Sequence, residues 1–268
     1  MAIVLNEYEW AEKMIADRKL GNKPCETLLR VAKYYFERKY SKREVRKLLD
    51  EFLMQCNPDA SLVAWSNKLD AITRSAAKYP PIQIDSIYIT VGELEWVNTL
   101  DSKLLRRLAF TMLCTSKFWD AISTNNNGWV NTDEKEIFQM ANIKITSEKQ
   151  DLMYGELIRQ GYIKQSKRID NLNVRMLTPE TDDVVGLVID DFRNLGYQYL
   201  KYCGDPYFRC EKCGITIREQ KYVARSLHRD GKTSDPGRKR KYCPSCALES
   251  RLKQNINAVM KRREHGCS

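Results

Sequence analysis

Two Cys-x-x-Cys pairs near the carboxyl end constrain the fold of this chain more than any other feature of its sequence. The first pair is Cys210-Glu-Lys-Cys213, and the second is Cys243-Pro-Ser-Cys246, which follows a spacer of 29 residues. Structural Zn²⁺ is bound tetrahedrally by four cysteine or histidine ligands, and two such pairs supply all four. Four thiolates leave no coordination position for a water molecule. The spacing therefore predicts one structural Zn²⁺ ion held by these four cysteines.

The residues around the two pairs show the pattern of a small zinc-binding fold. Gly214 directly follows the first pair, where a tight turn needs a residue that tolerates positive φ. After the second pair, apolar residues recur on one face of a predicted helix: Leu248, Leu252, Ile256, Val259 and Met260. The order of knuckle, connecting hairpin and ligand pair at a helix start resembles the treble-clef zinc fingers over about 55 residues. The resemblance implies an insertion in the long spacer, with turns at Gly231 and at Asp235-Pro236-Gly237.

The other cysteines do not stand at the spacing of a second metal site. The chain has nine cysteines and shows neither a secretory signal nor an apolar run long enough to span a bilayer. This combination predicts reduced thiols in a cytoplasmic protein. Cys203 and His228 lie close enough in sequence to replace one of the four ligands, an alternative that the spacing leaves open. Three further cysteines are predicted to be core residues and the fourth to lie in the tail: Cys25, Cys56, Cys114 and Cys267.

The positive charge of the chain is concentrated in its last part. The formal net charge is +10, and residues 209–268, with 16 basic and 6 acidic residues, carry all of it. Four thiolates and one Zn²⁺ add −2, so the metal-loaded segment stays strongly positive. A basic module built on a metal site indicates a polyanionic partner, and we predict nucleic acid, either DNA or RNA. The predicted phosphate contacts of this module are Arg238, Lys239, Arg240, Lys241, Lys261, Arg262 and Arg263.

Residues 100–180 show a pattern of three helices followed by two strands. The predicted elements are a helix capped by Asp101, helices over 133–140 and 147–160, and two strands over 162–167 and 174–177. This order resembles a winged helix-turn-helix unit over roughly 80 residues, with the two strands as its wing. The third helix has a net charge of −1, which is unlike a helix that reads a DNA groove. The wing is basic and is predicted to contact nucleic acid through Lys164, Lys167 and Arg168. A protein-docking platform remains the alternative role for this unit.

The amino-terminal part is predicted to be helical. Periodic apolar residues predict amphipathic helices over 26–39, 41–55 and 60–78, and Ser41 with Glu44 forms a capping box for the second helix. The fold class that follows is mainly α with small β elements. The predicted divisions are a helical region 1–99, a winged-helix-like domain 100–180, a connecting segment 181–208 and a basic four-cysteine zinc-finger domain 209–268.

The sequence contains none of the common catalytic motifs. It has no P-loop, no nucleophile elbow and only two histidines, so the chain is predicted not to be an enzyme. Paired carboxylates can hold Mg²⁺ in nucleases, and two such pairs, Asp182-Asp183 and Asp190-Asp191, flank a short apolar segment. A metal-dependent nuclease is therefore kept as an alternative.

The whole combination resembles uncharacterised proteins of bacteriophages and prophages in which helical or winged-helix parts precede a basic zinc finger. That resemblance implies a non-enzymatic protein of phage replication or transcription, located in the cytoplasm of the bacterial host, whose finger contacts nucleic-acid phosphates. The alternative is a protein inhibitor or adaptor, such as an anti-defence (anti-CRISPR-like) factor that acts on a nucleic-acid-loaded host complex. No membrane partner is predicted, and the sequence leaves the oligomeric state open.

Overall fold

The structure is a computed structural model that describes residues 3–167, 173–180, 184–219 and 240–265, with side chains described as far as residue 260. Within these ranges the chain is mainly helical, as the sequence predicts. The helices are α1 (Glu7–Asp17), α2 (Pro24–Glu37), α3 (Lys42–Cys56), α4 (Leu62–Ala76), α5 (Val91–Asn98), α6 (Lys103–Ile122), α7 (Glu134–Met140), α8 (Ser147–Arg159), α9 (Leu195–Tyr202) and α10 (Pro244–His265). The strands are β1 (Ile87–Thr90), β2 (Trp129–Val130), β3 (Ile163–Gln165), β4 (Val174–Met176), β5 (Val185–Ile189), β6 (Tyr207–Arg209) and β7 (Thr216–Arg218).

The first four helices form a bundle with its own hydrophobic core. Helices α2, α3 and α4 lie close to the predicted ranges, whereas α1 is a helix that the periodicity does not predict. The predicted capping box is confirmed: the Ser41 hydroxyl accepts from the Glu44 N–H, and the Glu44 carboxylate accepts from the Ser41 N–H at 2.8 Å. Large buried side chains of this core include Leu28, Leu49 and Phe52, so α2 and α3 bury their apolar faces against each other and α4.

A buried ion-pair network joins α1 to α2 and to the segment that leads into β1. The Glu7 side chain accepts hydrogen bonds from Arg30 Nε at 3.2 Å and from Lys33 Nζ at 2.8 Å. It also accepts from the backbone N–H of Ile82 at 3.1 Å. Glu7 is 2% exposed, and a carboxylate at that depth is tolerated because two cations and an N–H group compensate its charge.

A second, larger hydrophobic core surrounds α6. Helices α5 to α9 and strands β1 to β5 all contribute buried residues to it. Leu108 and Phe110 of α6 are completely buried, because apolar residues occur around most of this helix. The prediction that Asp101 caps α6 is wrong: the cap is Ser102, whose hydroxyl accepts from the Leu105 N–H.

Two small antiparallel sheets complete the central part. The two strands predicted over 162–167 and 174–177 are present as β3 and β4, with Lys164 opposite Arg175. Strand β2 adds a third strand in the order β2-β4-β3. Strand β1 pairs with β5 in the second sheet. Phe192, Leu195 and Tyr199 belong to the same core as α6. These residues of the predicted connecting segment are apolar or aromatic and pack onto the central unit.

The carboxyl-terminal part consists of the antiparallel β6–β7 hairpin followed by α10. The ring centroid of Tyr207 in β6 lies 4.8 Å from that of Tyr197 in α9, which places the hairpin against the central core. No helix in the described ranges is both long enough and apolar enough to cross a membrane. Several predicted features lie outside the described residues: the turns at Gly231 and 235–237, His228, Cys267, Asp182, Asp183, Arg168, Arg238 and Lys239.

Candidate metal centre

The structure brings the four predicted ligands together between the β6–β7 hairpin and the start of α10. Cys210 directly follows β6, Cys213 lies in the turn before β7, Cys243 precedes α10, and Cys246 lies in its first turn. One ligand atom from each residue lies within 4.8 Å of all the others, so the group can hold one metal ion. Among the described residues, this is the one group of cysteine, histidine or acidic side chains with such a spacing.

The sulfur spacing matches a tetrahedral metal site and differs from that of a disulfide. Cys213 Sγ and Cys243 Sγ are 3.7 Å apart. Tetrahedral coordination with metal–sulfur bonds of about 2.3 Å separates two sulfurs by about 3.8 Å, whereas a disulfide bond is about 2.05 Å long. Cys210, Cys243 and Cys246 are 2%, 6% and 7% exposed, so most of the centre is shielded from water.

Gly214 makes the tight turn that points the first two sulfurs at one place. Its φ is +76°, which confirms the positive φ predicted after the first pair. Its N–H donates to the Cys210 carbonyl oxygen at 2.9 Å, and the Cys210 N–H donates to the Ile215 carbonyl oxygen at 3.0 Å. A Cβ atom at Gly214 would lie 3.2 Å from Arg209 Nη2. The left-handed backbone and this close approach both favour glycine.

The pKa values of two of the four thiols, Cys210 and Cys246, are shifted in opposite directions. Burial raises the pKa of the Cys210 thiol, but backbone N–H groups, led by that of Cys243 at 3.3 Å from the Cys210 sulfur, outweigh burial and lower it to about 6. Burial and the three neighbouring cysteine side chains raise the pKa of Cys246 to about 12. A bound divalent cation would favour the thiolate form of the four ligands.

Side chains that follow β5 attach the metal-binding turn to the central core. Arg193 donates one hydrogen bond to the Cys213 carbonyl oxygen and another to the Asp191 carboxylate. Asn194 Nδ2 donates to the Thr216 carbonyl oxygen in β7 at 3.0 Å. These hydrogen bonds hold both ends of the short segment from Cys213 to Thr216, which connects the metal-binding turn to β7.

The acidic pair Asp190-Asp191 takes part in this attachment. Arg209 Nη2 lies 2.7 Å from Asp190 Oδ2, and Arg193 Nη2 lies 2.7 Å from Asp191 Oδ2, so each carboxylate has an arginine partner. Sequence analysis missed Arg193, Asn194 and Arg209 as supports of the metal centre because none of them stands at a motif spacing. The one available signal is that Arg209 directly precedes the first ligand.

The other described cysteines lie outside the metal centre. Cys203, the alternative ligand, is exposed and does not belong to the four-sulfur group. Cys114 is buried in α6 and Cys56 is partly buried, in agreement with their prediction as core residues. The prediction for Cys25 is wrong: it is exposed, because it lies in the first turn of α2, before the buried stretch that begins at Thr27.

Two of the predicted phosphate contacts lie immediately before the second ligand pair. Arg240 and Lys241 are exposed. The Glu211 N–H donates to the Lys241 carbonyl oxygen at 3.0 Å, and Lys241 Nζ lies 3.4 Å from Glu211 Oε1. This basic segment is therefore fixed to the turn between Cys210 and Cys213. The backbone of residues 261–263 continues α10, and their side chains lie outside the described part.

The central unit carries opposite charges on different elements. Lys164 in β3 and Lys167, two residues after β3, are exposed. Asp133, Glu134 and Asp151, by contrast, line a cavity of about 640 Å³ beside α7 and α8, which we term the acidic groove. Burial and the neighbouring charges of Asp151 and Asp133 raise the pKa of Glu134. Sequence analysis missed this groove because its three carboxylates come from two separate parts of the chain, the start of α7 and α8, and its other lining residues from further elements.

Comparison of the chain with protein-family models, with curated proteins and with solved structures gives no match. The treble-clef, winged-helix and phage-protein resemblances therefore stay proposals.

Proposed function

We propose that the four-cysteine centre binds one structural Zn²⁺ ion and that the chain is a non-enzymatic nucleic-acid-binding protein whose basic finger contacts phosphates. One observation carries this proposal: the four-sulfur centre and the whole net positive charge of the chain coincide in the last 60 residues. Zn²⁺ is the preferred occupant because closed, four-thiolate coordination is typical of structural zinc.

The ion would stabilise a segment whose described residues form a small apolar cluster. The hydrophobic cluster there consists of the metal-site cysteines with Ile215 and Ile217 against them. Folding a hairpin and a helix around one ion keeps Arg240 and Lys241 exposed beside the second ligand pair. Basic side chains on a rigid support lose less conformational entropy on binding phosphates than the same side chains on an unfolded tail.

For the central unit, we propose a winged helix that contacts nucleic acid through its wing. The chain order α6, β2, α7, α8, β3, β4 and the strand order β2-β4-β3 support this interpretation. Lys164 and Lys167 on the wing are exposed. The carboxylates of the acidic groove come from the α7 and α8 side and repel phosphate there, whereas β3 and β4 contribute Gln165 and Val174 to its lining. We therefore expect the lysines of the wing, and not α8, to approach the nucleic acid.

The acidic groove favours a second function for the same unit, which is docking of a basic protein segment. Its three carboxylates attract lysine and arginine side chains and repel nucleic acid. An inhibitor or adaptor that acts on a nucleic-acid-loaded host complex would use both surfaces, the finger on nucleic acid and the groove on protein. A phage-encoded factor in the host cytoplasm is the setting that we propose for either function.

Salt-dependent binding tests the proposed phosphate contacts. We expect the full-length, metal-loaded protein to bind mixed-sequence DNA or RNA with an association constant that falls steeply as salt rises. The double variant Arg240→Ala, Lys241→Ala removes two phosphate contacts, so the slope of log K against log salt concentration becomes shallower by about 2. Fluorescence anisotropy over a salt series measures both the affinity and the slope.

The matched control is Lys78→Ala with Lys144→Ala, which removes the same charge from exposed positions outside the finger. We expect its slope to equal that of the wild type. The proposed finger contact would be contradicted if the slope decreased equally in both double variants, or if the wild-type protein showed no salt-sensitive binding. Binding of a basic peptide that Asp133→Asn and Glu134→Gln abolish would instead support docking at the acidic groove.

A further inference from the structure

Helix α10 exposes a stripe of large apolar side chains. Every described side chain from residue 251 to residue 260 is exposed. Isolated exposed apolar residues are common, but a contiguous apolar stripe on a soluble protein marks an interaction surface. We term this surface the α10 stripe. Its members, with their exposed fractions, are Leu248 at 59%, Leu252 at 53%, Ile256 at 57%, Val259 at 48% and Met260 at 58%.

We propose that the α10 stripe binds the α10 stripe of a second copy of this chain, with the two helices antiparallel. The helix has 22 residues and is therefore about 33 Å long. At about 100° per residue, the five members of the stripe fall within an arc of about 120°. Gln254 and Asn257 lie on the opposite side of the helix. One narrow apolar face along a long helix is the geometry of a helix-to-helix interface.

The spacing of the stripe is self-complementary in the antiparallel direction. A two-fold axis that crosses the stripe at the level of residue 254 places Leu252 opposite the second copy's Ile256, and Leu248 opposite the second copy's Met260. Four of the five members therefore meet an apolar residue, and Val259 falls level with position 249, one residue from the second copy's Leu248. In a parallel pair, Leu252 would meet its own equivalent, and the basic positions 261–263 of both copies would lie side by side and repel each other.

Charge also favours the antiparallel arrangement over a parallel one. The two-fold axis beside residue 254 brings positions 261–263, which are Lys-Arg-Arg, next to the second copy's residues 245–247, at its metal centre. Four thiolates around a divalent ion have a net charge of −2, which attracts these basic positions. This charge argument rests on the proposed zinc occupancy, whereas the apolar complementarity does not.

The size of the stripe predicts a dimer of moderate affinity. Five half-exposed side chains, with the aliphatic stems beside them, supply roughly 500 Å² of contact per copy. Standard stable interfaces bury about 800 Å² per partner. We therefore expect a dimer that forms and dissociates in the micromolar concentration range, and not an obligate one.

Dilution of the full-length, metal-loaded protein tests this proposal directly. Sedimentation velocity from about 1 to 100 µM should show a shift from the 31.3 kDa monomer towards twice that mass. We expect Leu252→Glu to stay monomeric over the whole range. Gln254→Glu is the matched control, since it introduces the same charge on the opposite face, and should dimerise like the wild type.

Mixing two variants tests the register of the pairing. Leu252→Glu and Ile256→Lys should each be monomeric alone, whereas an equimolar mixture should dimerise. In the mixed pair, Glu at position 252 meets Lys at position 256, and the second contact remains Ile256 against Leu252. Metal content and melting temperature of each variant check that its fold is intact.

A wild-type chain that stays monomeric at the highest concentration would overturn the proposal, and residues 220–239 or another protein would then be the candidate occupants of the stripe. A wild type that dimerises while Leu252→Glu dimerises equally well would place the interface elsewhere. A mixture of the two variants that stays monomeric would overturn the antiparallel register.

Discussion

Replacement of one ligand in the four-cysteine centre is expected to unfold the carboxyl-terminal segment and to leave both helical cores intact. Among the described residues of this segment, Tyr207 packs against the larger core, and the hydrophobic cluster consists of the cysteines with Ile215 and Ile217, both partly buried. Their burial contributes about 2–4 kcal/mol, whereas a structural Zn²⁺ ion contributes on the order of 10 kcal/mol. Cys246→Ser removes a thiolate from the centre and therefore weakens the larger of the two contributions.

Metal analysis and hydrogen exchange measure the two parts of this prediction. Purified wild-type protein should contain one Zn²⁺ ion per chain, and Cys246→Ser should contain much less. Mass spectrometry of hydrogen exchange should show fast exchange over 207–218 and 240–260 in the variant. The amides of α6, in the larger core, should stay protected in both proteins. Replacement of Zn²⁺ by Co²⁺ reports the thiolate ligands directly, because tetrahedral Co²⁺ absorbs visible light strongly.

Cys203→Ser is the matched control for this experiment. Cys203 is exposed and lies seven residues before Cys210, and it is the alternative ligand among the described residues. We expect this variant to keep its metal and its protection. One metal ion per chain in both variants, or loss of metal in Cys203→Ser alone, would refute the ligand assignment. Wild-type protein without a bound metal would refute the centre itself.

Two further predictions concern protonation and the buried ion pairs. Zinc affinity should rise with pH because the metal displaces protons from the thiols that it binds. The Cys210 thiol, whose pKa is about 6, has lost most of its proton at pH 7, so at most three protons remain and the log of the association constant rises by up to about 3 per pH unit. A chelator competition that shows no pH dependence would contradict this. Glu7→Gln removes the buried carboxylate that compensates Arg30 and Lys33, while Glu26 stays 3.9 Å from Arg30. The free energy of unfolding in urea should therefore fall by about 3 kcal/mol, and a similar decrease in the exposed control Glu9→Gln would show that the network is not the cause.

The metal centre was predictable from the sequence because its information is local. Each Cys-x-x-Cys pair fixes two ligands within one turn, and the positive φ of Gly214 follows from its position beside the first pair. The capping box of Ser41 and Glu44 likewise depends on residues three positions apart. Helix periodicity predicted the α10 stripe, although it could not show whether the stripe is covered. In each case, the physical constraint acts between close neighbours in the chain.

Features that join distant parts of the chain could not be predicted in this way. Glu7 is a charged residue in the first turn of a helix, where the sequence alone indicates an exposed side chain. It is buried because Arg30 and Lys33 come from another helix to compensate its charge. Strand β1 pairs with β5, although most of the central unit lies between them in sequence. Arg193 belongs to no motif, yet it donates a hydrogen bond to the metal-binding turn. These contacts depend on tertiary packing, which no local pattern encodes.

The distribution of charge links this fold to the proposed function. The finger holds the whole positive excess, while the acidic groove lies on the neutral remainder of the chain. A polyanion on the finger is repelled by the groove, so the groove stays open to a basic partner while nucleic acid is bound. In the proposed antiparallel dimer, positions 261–263 of the two copies lie on either side of the two-fold axis at residue 254 and are about 24 Å apart along the helices. Since a B-DNA base pair rises about 3.4 Å, a duplex shorter than about seven base pairs can then reach one basic turn only, and longer polyanions gain from both.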